Sequence, residues 1–213
     1  MSLVGKEWLD IVYNEKSSYR LKNHYKIWAN NYDQDLIDWG YAYPKQLKKI
    51  ITKDIKISKK SKILDAGCGT GLVAETLTKM SFNNIIGLDY SIDMLKVAKT
   101  KKIYKKLLHE SLSKKTSLRS NQFDVVLCTG VLTSGHVGAK SINELVRITR
   151  GNGYLLLSIA ESIYEKLGFK REIEKNIDNN KISKIKITSS FVALPNHKSS
   201  ATSRIHIYKK NLS

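Results

Sequence analysis

The sequence predicts an α/β fold built on a doubly wound, mostly parallel sheet. Short apolar runs alternate with segments of helical period between residues 62 and 159, which is typical of a parallel sheet covered by helices on both faces. One of these runs, 62–66, leads into a glycine-rich turn that opens a helix. Beyond residue 159, two segments alternate apolar and polar residues, which favours antiparallel strands at the C-terminal end.

The first half of the sheet is predicted from apolar runs that are each followed by a turn or helix signal. Ser91 is a good N-cap for the second helix of this region. The link after the third strand is polar and has no helical period. The expected strands are 62–66, 84–89 and 106–109, and the expected helices are 71–80 and 91–101.

The second half of the sheet continues this pattern and then departs from it. Strands are expected at 123–129 and 153–159 with a helix at 139–149, and a further helix is expected at about 161–176. Two alternating segments follow, 184–188 and 202–208, joined by a loop that contains Pro195. They predict an antiparallel hairpin, which a dinucleotide dehydrogenase would not show.

The region before the first strand is rich in aromatic residues and predicts a helical cap (1–60) over a core (61–213). A cap over a ligand-binding mouth explains the spacing of these side chains, and packing of N-terminal helices on the sheet explains any single one equally well. The residues are Tyr25, Trp28, Tyr32, Trp39, Tyr41 and Tyr43.

Length and composition indicate one domain, 1–213, with a single proper core. No apolar run approaches the roughly 20 residues of a membrane span, and residues 1–7 lack the layout of a signal peptide. The two cysteines, Cys68 and Cys128, make neither a disulfide framework nor a metal set. We therefore expect a cytoplasmic protein with no membrane partner and no metal.

The formal charge of +18 raises the question of nucleic acid. The excess comes mostly from lysine, whereas recognition of bases and phosphates favours the bidentate guanidinium of arginine. The densest run, 96–106, has the period of a surface helix. We interpret the charge mainly as solvated lysine faces and keep an acidic or nucleic-acid substrate as the alternative.

The turn Gly67–Gly71 is the strongest functional signal in the chain. Glycine has no Cβ, so such a turn brings backbone and a helix N-terminus close to a ligand. About twenty residues later the second strand ends in Asp89, where a doubly wound sheet places the carboxylate that accepts ribose hydroxyls. These residues predict a nucleoside cofactor.

The segment Leu64–Gly71 resembles the first motif of class I S-adenosylmethionine-dependent methyltransferases, and Asp89 stands at their ribose-binding position. Its glycines run G-x-G-x-G, whereas a dinucleotide site has G-x-G-x-x-G. The resemblance implies S-adenosylmethionine as cofactor. It also implies a Rossmann-like doubly wound seven-stranded sheet, with an antiparallel C-terminal hairpin strand and an N-terminal helical cap.

Three segments resemble, more narrowly, the methyltransferase-like family named after the Williams–Beuren syndrome region. They are Tyr25–Asp35, Leu88–Leu95 and Gly130–Val137. Quinone methyltransferases share the first two patterns, whereas the Thr-x-Gly-His-Val stretch in the third is more particular. The resemblance does not supply the acceptor.

The class resemblance implies roles for the residues of the turn. Gly67, Gly69 and Gly71 would shape it, and the Gly67 carbonyl would receive the amino group of the methionine moiety. Asp65 would bind that ammonium directly or through water. The alternative for Asp65 is to cap the amides of the turn itself.

Further roles follow along the strand ends. Asp89 would take the ribose hydroxyls and Tyr90 would pack against adenine. Ser111 and Leu112 would contact the adenine edge, where Ser111 replaces the acid that the family usually shows. A hydroxyl is a weaker acceptor than a carboxylate, so this departure bears on cofactor affinity. Tyr32, in the predicted cap, completes the expected cofactor contacts.

The resemblance places the reacting groups at the fourth strand. Thr129 and Gly130 would flank the methyl group and sulfonium. His136 is the candidate catalytic residue, as a contact of the acceptor or as a base if the acceptor must lose a proton. A loop histidine can equally be structural.

The predicted function is methyl transfer to a small-molecule acceptor, mainly by orientation and exclusion of water. Neither an Asn/Asp-Pro-Pro-Tyr/Phe motif after the fourth strand nor a Pro-Cys pair occurs in the sequence, which argues against methylation of nucleic-acid bases. The alternatives are a non-catalytic S-adenosylmethionine-binding sensor or subunit and an RNA methyltransferase.

Overall fold

The computed structural model describes residues 18–133, 137–198 and 201–212. Their strands form one sheet in the order β3-β2-β1-β4-β5-β8-β6, and the short β7 pairs with β8. The strands are β1 (Ile63–Ala66), β2 (Ile85–Asp89), β3 (Lys106–His109), β4 (Phe123–Leu132), β5 (Thr149–Ala160), β6 (Ile182–Ile187), β7 (Phe191–Val192) and β8 (Thr202–Lys210).

The sheet has a parallel half and an antiparallel half. Strands β1 to β5 pair in parallel, and β1 lies between β2 and β4. The chain therefore winds outward in both directions from β1, which opens a crevice at the carboxyl ends of β1 and β4. Strand β8 runs antiparallel to β5, β6 and β7.

Helices cover both faces of this sheet. Ser91 accepts a hydrogen bond from the amide of Met94 and caps the helix that begins at Ile92, as its position in the sequence predicts. The helices are α1 (Ser18–Trp28), α2 (Tyr32–Asp38), α3 (Tyr43–Lys53), α4 (Leu72–Lys79), α5 (Ile92–Thr100), α6 (Ser141–Ile148), α7 (Glu161–Tyr164) and α8 (Phe169–Asp178). No helix in this part of the chain is long and apolar enough to cross a membrane.

Two buried clusters, one on each face, explain why the central strands are apolar throughout. In β1, Ile63 belongs to the cluster under the N-terminal helices, whereas Leu64 belongs to the cluster under α6 and α8. Val125 and Val126 of β4 divide in the same way. Parallel strands covered on both faces show continuous apolar runs of this kind.

The α/β fold and its antiparallel C-terminal strands are confirmed, with two differences in detail. The helix expected at 161–176 is two helices, α7 and α8, because Gly168 adopts a left-handed backbone (φ +77°) and starts α8. Such a conformation is open to glycine at little cost and interrupts a helix. The expected seven strands are present, and the two-residue β7 adds an eighth.

A charged cluster ties the N-terminal helices to the core. The Lys101 ammonium, at the end of α5, lies 2.5 Å from Asp33 of α2 and 2.5 Å from Glu75 of α4. The Thr70 hydroxyl of the glycine turn donates to Asp33 at 2.5 Å. Because the Lys101 side chain is only 15% exposed, solvent screens this cluster less than a surface pair.

We expect Lys101→Met to lower the free energy of unfolding by about 1–2 kcal/mol, because two half-buried carboxylates lose their shared cation. Urea denaturation followed by circular dichroism measures the change. Lys99→Met, which removes an exposed lysine of the same helix, is the control. Equal denaturation midpoints for the two variants would contradict the structural role of the cluster.

Candidate active site

A cavity of about 370 Å³ lies at the carboxyl edge of the sheet, over the ends of β1, β2 and β4. Its volume is within the range of small-molecule and cofactor sites. Most of the residues predicted for the site line it, whereas Gly71 and Leu112 do not and His136 lies outside the described residues. The predicted residues in its walls are Tyr32, Asp65, Gly67, Gly69, Asp89, Tyr90, Ser111, Thr129 and Gly130.

The glycine turn presents bare backbone to this cavity. Gly67 and Gly69 both have positive φ angles, +79° and +53°. A Cβ on Gly67 would lie 2.1 Å from Val131, so packing excludes any side chain there. A Cβ on Gly69 would meet no described atom within 4 Å. The turn therefore leaves open space beside Gly69, which a side chain at this position would fill. A nucleoside cofactor bound against the turn needs this space.

Gly71 and Leu112 do not line the cavity in the described structure, and their contact with the cofactor stays a prediction. Gly71 (φ +98°) is the N-cap of α4, and a Cβ there would lie 3.1 Å from the ring of Tyr104. Leu112 is buried in the cluster under α6 and α8, because an apolar side chain at this place gains more from the core than from the cavity. Both residues support the site from behind.

Asp65 is a carboxylate at the end of β1 that is buried almost completely. The hydroxyl of Tyr104 donates a hydrogen bond to it at 2.8 Å. Burial raises the pKa of Asp65, the Tyr104 hydrogen bond lowers it in part and the nearby charge of Asp89 adds to the rise, so that the pKa is about 7. The turn amides of Gly67 and Cys68 donate to the Leu88 carbonyl instead, so the described contacts of Asp65 do not include capping of the turn.

Tyr104 is a residue of the site that the sequence analysis missed. Its ring lies beneath the glycine turn, where a Cβ on Gly71 or on Gly87 would approach it to 3.1 or 2.9 Å. Gly87 stands inside the buried strand β2. A glycine within a strand indicates close approach of another group, and this was the one signal in the sequence for Tyr104.

Asp89 ends β2 and reaches under the same turn. Its carboxylate accepts hydrogen bonds from the amides of Gly69 and Ser91, each at 2.8 Å. Burial raises its pKa, and these backbone bonds oppose the rise. A carboxylate offers about four lone-pair sites, so its two oxygens keep capacity to accept from the hydroxyls of a ribose.

The end of the cavity beyond Asp89 contains Tyr90 and Ser111. The Tyr90 hydroxyl is buried and has no hydrogen-bond partner among the described residues. Such a group costs about 1–3 kcal/mol, which a polar ligand atom would offset. Ser111 shares a hydrogen bond with Ser113 at 2.7 Å. The carboxylate of the neighbouring Glu110 turns away to bind Ser117.

The tip of β4 forms the other end of the cavity. Thr129 is buried, and Gly130 (φ +73°) donates its amide to the Ser158 hydroxyl at 2.8 Å. A Cβ on Gly130 would lie 3.2 Å from the hydroxyl of Tyr41. The N-terminal region therefore brings a tyrosine directly beside the strand tip, and the sequence alone did not assign Tyr41 to this contact.

We expect Asp65→Asn to stabilise the free protein by about 2–4 kcal/mol above pH 7. The folded state holds the proton of Asp65 more tightly than the unfolded chain does. Ionisation of Asp65 therefore lowers the free energy of unfolding as the pH rises toward 7, and the full loss persists at higher pH. The gain should fall away toward pH 4. Thermal unfolding between pH 4 and 8.5 measures it, with the exposed Asp178→Asn as control. A gain independent of pH would contradict the assignment.

We expect Tyr104→Phe to raise the pKa of Asp65 above 7, because the carboxylate loses the hydrogen bond that favours its charged form. Titration of the Asp65 carboxyl carbon by NMR measures this directly. Tyr154→Phe, a half-buried tyrosine of β5, should leave the titration unchanged. An unshifted Asp65 in Tyr104→Phe would show that the hydroxyl does not control its charge.

The chain is similar in sequence to known methyltransferases. A family described as "Methyltransferase domain" matches residues 64–157. Methyltransferase-like protein 27 of Homo sapiens is 32% identical over 156 residues, which are 72% of this chain and 63% of that protein. The mitochondrial ubiquinone biosynthesis O-methyltransferase of Candida albicans is 29% identical over 102 residues, 45% of this chain and 31% of that one. The chain thus spans less than two thirds of either relative.

The fold is also found in solved structures. A TehB-like S-adenosylmethionine-dependent methyltransferase from Corynebacterium glutamicum superimposes with a TM-score of 0.62 at 17% identity, over 86% of this chain and 98% of that one. The family match covers the glycine turn, Asp89 and the tip of β4, which form part of the cavity wall. Residues 64–157 are therefore similar to a methyltransferase domain, and the chain has the Rossmann-like fold of S-adenosylmethionine-dependent methyltransferases.

Proposed function

We propose that the protein transfers a methyl group from S-adenosylmethionine to a small-molecule acceptor. The observation that carries this proposal is the convergence of the glycine turn, Asp65 and Asp89 in one cavity that reaches the tip of β4. S-adenosylmethionine supplies a methyl whose bond to sulfur breaks, with the electron pair returning to sulfur, as the acceptor atom bonds the carbon. The residues of the chain orient the reactants and exclude water.

The two carboxylates would hold the two ends of the cofactor. Asp89 has lone pairs left for the ribose hydroxyls, and the open backbone at Gly69 leaves room for the sugar. Asp65 would pair with the ammonium of the methionine moiety, since a cation beside it favours its charged form and lowers its raised pKa. Tyr90 and Ser111 would contact the adenine end, with Tyr32 covering the site.

The reacting atoms would lie at the tip of β4. Thr129 and Gly130 stand there, and Tyr41 approaches them from the N-terminal region. The described walls contain neither lysine nor histidine, and their ionisable groups are carboxylates and tyrosines. The role of His136 as an acceptor contact stays a prediction.

The narrower kinship to the family of the Williams–Beuren syndrome region is also part of the proposal. Its support is the 32% identity to the human methyltransferase-like protein 27. The segment Gly130–Val137, which carries that resemblance, begins at the cavity wall. In this proposal the segment helps to choose the acceptor.

A second candidate function is binding of the cofactor without turnover, as a sensor or a subunit of an assembly. The observation that favours it is the serine at position 111, since a hydroxyl replaces the usual acid and is bound to Ser113. Methylation of RNA has less support, because the described cavity walls carry no lysine or arginine in spite of the net charge of +18.

The test is binding of S-adenosylmethionine by calorimetry, followed by transfer of a labelled methyl group in a cell extract. We expect binding that Asp89→Asn weakens at least tenfold, through the loss of charge-assisted hydrogen bonds, and that the exposed Asp178→Asn leaves unchanged. Label should appear in a fraction of low molecular mass.

Three other results would separate the alternatives. Failure of the wild-type protein to bind the cofactor would contradict the proposal. Binding without any labelled product favours the sensor. Label in a ribonuclease-sensitive fraction, with transfer that weakens steeply as salt rises, indicates an RNA acceptor.

A further inference from the structure

A second cavity, of about 210 Å³, adjoins the first at the same edge of the sheet. It lies over the end of β5 and the beginning of β8, where Ala160 and Ser203 are partners in the antiparallel register. Three residues, Tyr43, Thr133 and Ala193, line both cavities. The remaining described wall residues are Ala160, Ser162, Ile163, Ala201 and Ser203.

The two cavities follow the strand order along one line. Asp89 ends β2 and Gly130 lies near the end of β4, with β1 between them. Two strand spacings separate these ends by about 10 Å. Strands β5 and β8 come next in the same direction. The second cavity therefore lies on the opposite side of the β4 tip from the expected ribose site. An acceptor bound at the tip of β4 could extend into it.

Tyr43 forms the shared wall in a fixed orientation. Its side chain is buried, and its hydroxyl donates to the Ser203 hydroxyl at 3.1 Å. The rings of Tyr41 and Phe191 pack against it at centroid distances of 5.2 and 5.5 Å. These contacts hold an aromatic face between the tip of β4 and the second cavity.

The described walls of the second cavity are uncharged. They offer methyl groups and the hydroxyls of Tyr43, Thr133, Ser162 and Ser203. Glu161 stands between two wall residues, and its carboxylate binds Ser190 at 2.5 Å and Arg204 at 2.6 Å instead of facing the cavity. Since burying an unpaired charge costs several kcal/mol, these walls select against a charged group.

We propose that the acceptor is an uncharged, elongated molecule. Its reacting end would contact Tyr41 and Gly130, and its distal part would pass Tyr43 into the second cavity. This inference rests on the proposed function, because that function places the cofactor over β1 and β2. It adds the class of acceptor and assigns the second cavity to substrate binding.

The test measures binding of model compounds by calorimetry with S-adenosylhomocysteine, the demethylated cofactor, present. The probes are 4-phenylphenol, which is long and uncharged, phenol, which is short, and 4′-hydroxybiphenyl-4-sulfonate, which is long and anionic. We expect 4-phenylphenol to bind at least tenfold more tightly than either of the others, because its second ring buries apolar surface that the walls match.

Ala160→Phe fills the second cavity from the end of β5, and we expect it to reduce the affinity for 4-phenylphenol to that for phenol. Its affinity for S-adenosylhomocysteine should not change. Asn83→Phe adds the same ring at an exposed position before β2 and should alter neither affinity.

Two results would overturn the inference while S-adenosylhomocysteine binds normally. One is an affinity for the sulfonate equal to or above that for 4-phenylphenol, and the other is a preference for 4-phenylphenol that survives Ala160→Phe. Failure of S-adenosylhomocysteine to bind the wild-type protein would instead contradict the proposed function.

Discussion

The burial of two carboxylates at neighbouring strand ends is the constraint on which the rest of the site depends. Asp65 and Asp89 both lie out of water beneath the glycine turn, and the charge of Asp89 raises the pKa of Asp65. The donors that reach them in the free protein are the Tyr104 hydroxyl and two backbone amides. Buried charges of one sign are stable only with such partners. A cation or a hydrogen-bond donor that entered the site would therefore favour the charged forms of these carboxylates.

The walls of that site come from both ends of the domain. Trp28 and Leu47 of the N-terminal helices share one buried cluster with Ile63 and Val125 of the central strands. The Lys101 cluster adds a polar tie between α2 and the glycine turn. Division into a cap (1–60) and a core (61–213) remains a prediction, whereas the packing makes the two parts continuous. The N-terminal helices and the central strands therefore share one core.

The sequence predicted the strands and turns because each depends on local pattern. A strand covered on both faces must be apolar, and a turn with positive φ angles favours glycine, so β1, the turn and Asp89 were legible from adjacent residues. The contacts of Tyr104 and Lys101 could not be predicted from local pattern. The partner of Tyr104 lies 39 residues away, and the partners of Lys101 lie in two other helices. The burial of the Leu112 side chain in the core was hidden for a related reason, since its spacing did not reveal which way the side chain points.

The net charge of the protein does not by itself indicate which ligands the cavity attracts. A protein with a charge of +18 would repel a sulfonium cofactor if the charges acted at long range. At physiological ionic strength the Debye length is about 8 Å, so exposed lysines are screened over the distance to a buried site. Asp65 and Asp89 are buried at the cavity, where solvent screens their charges less than those of exposed lysines. Attraction of a cation to the cavity therefore depends on the ionisation of these two carboxylates, which burial opposes, more than on the total charge of the protein.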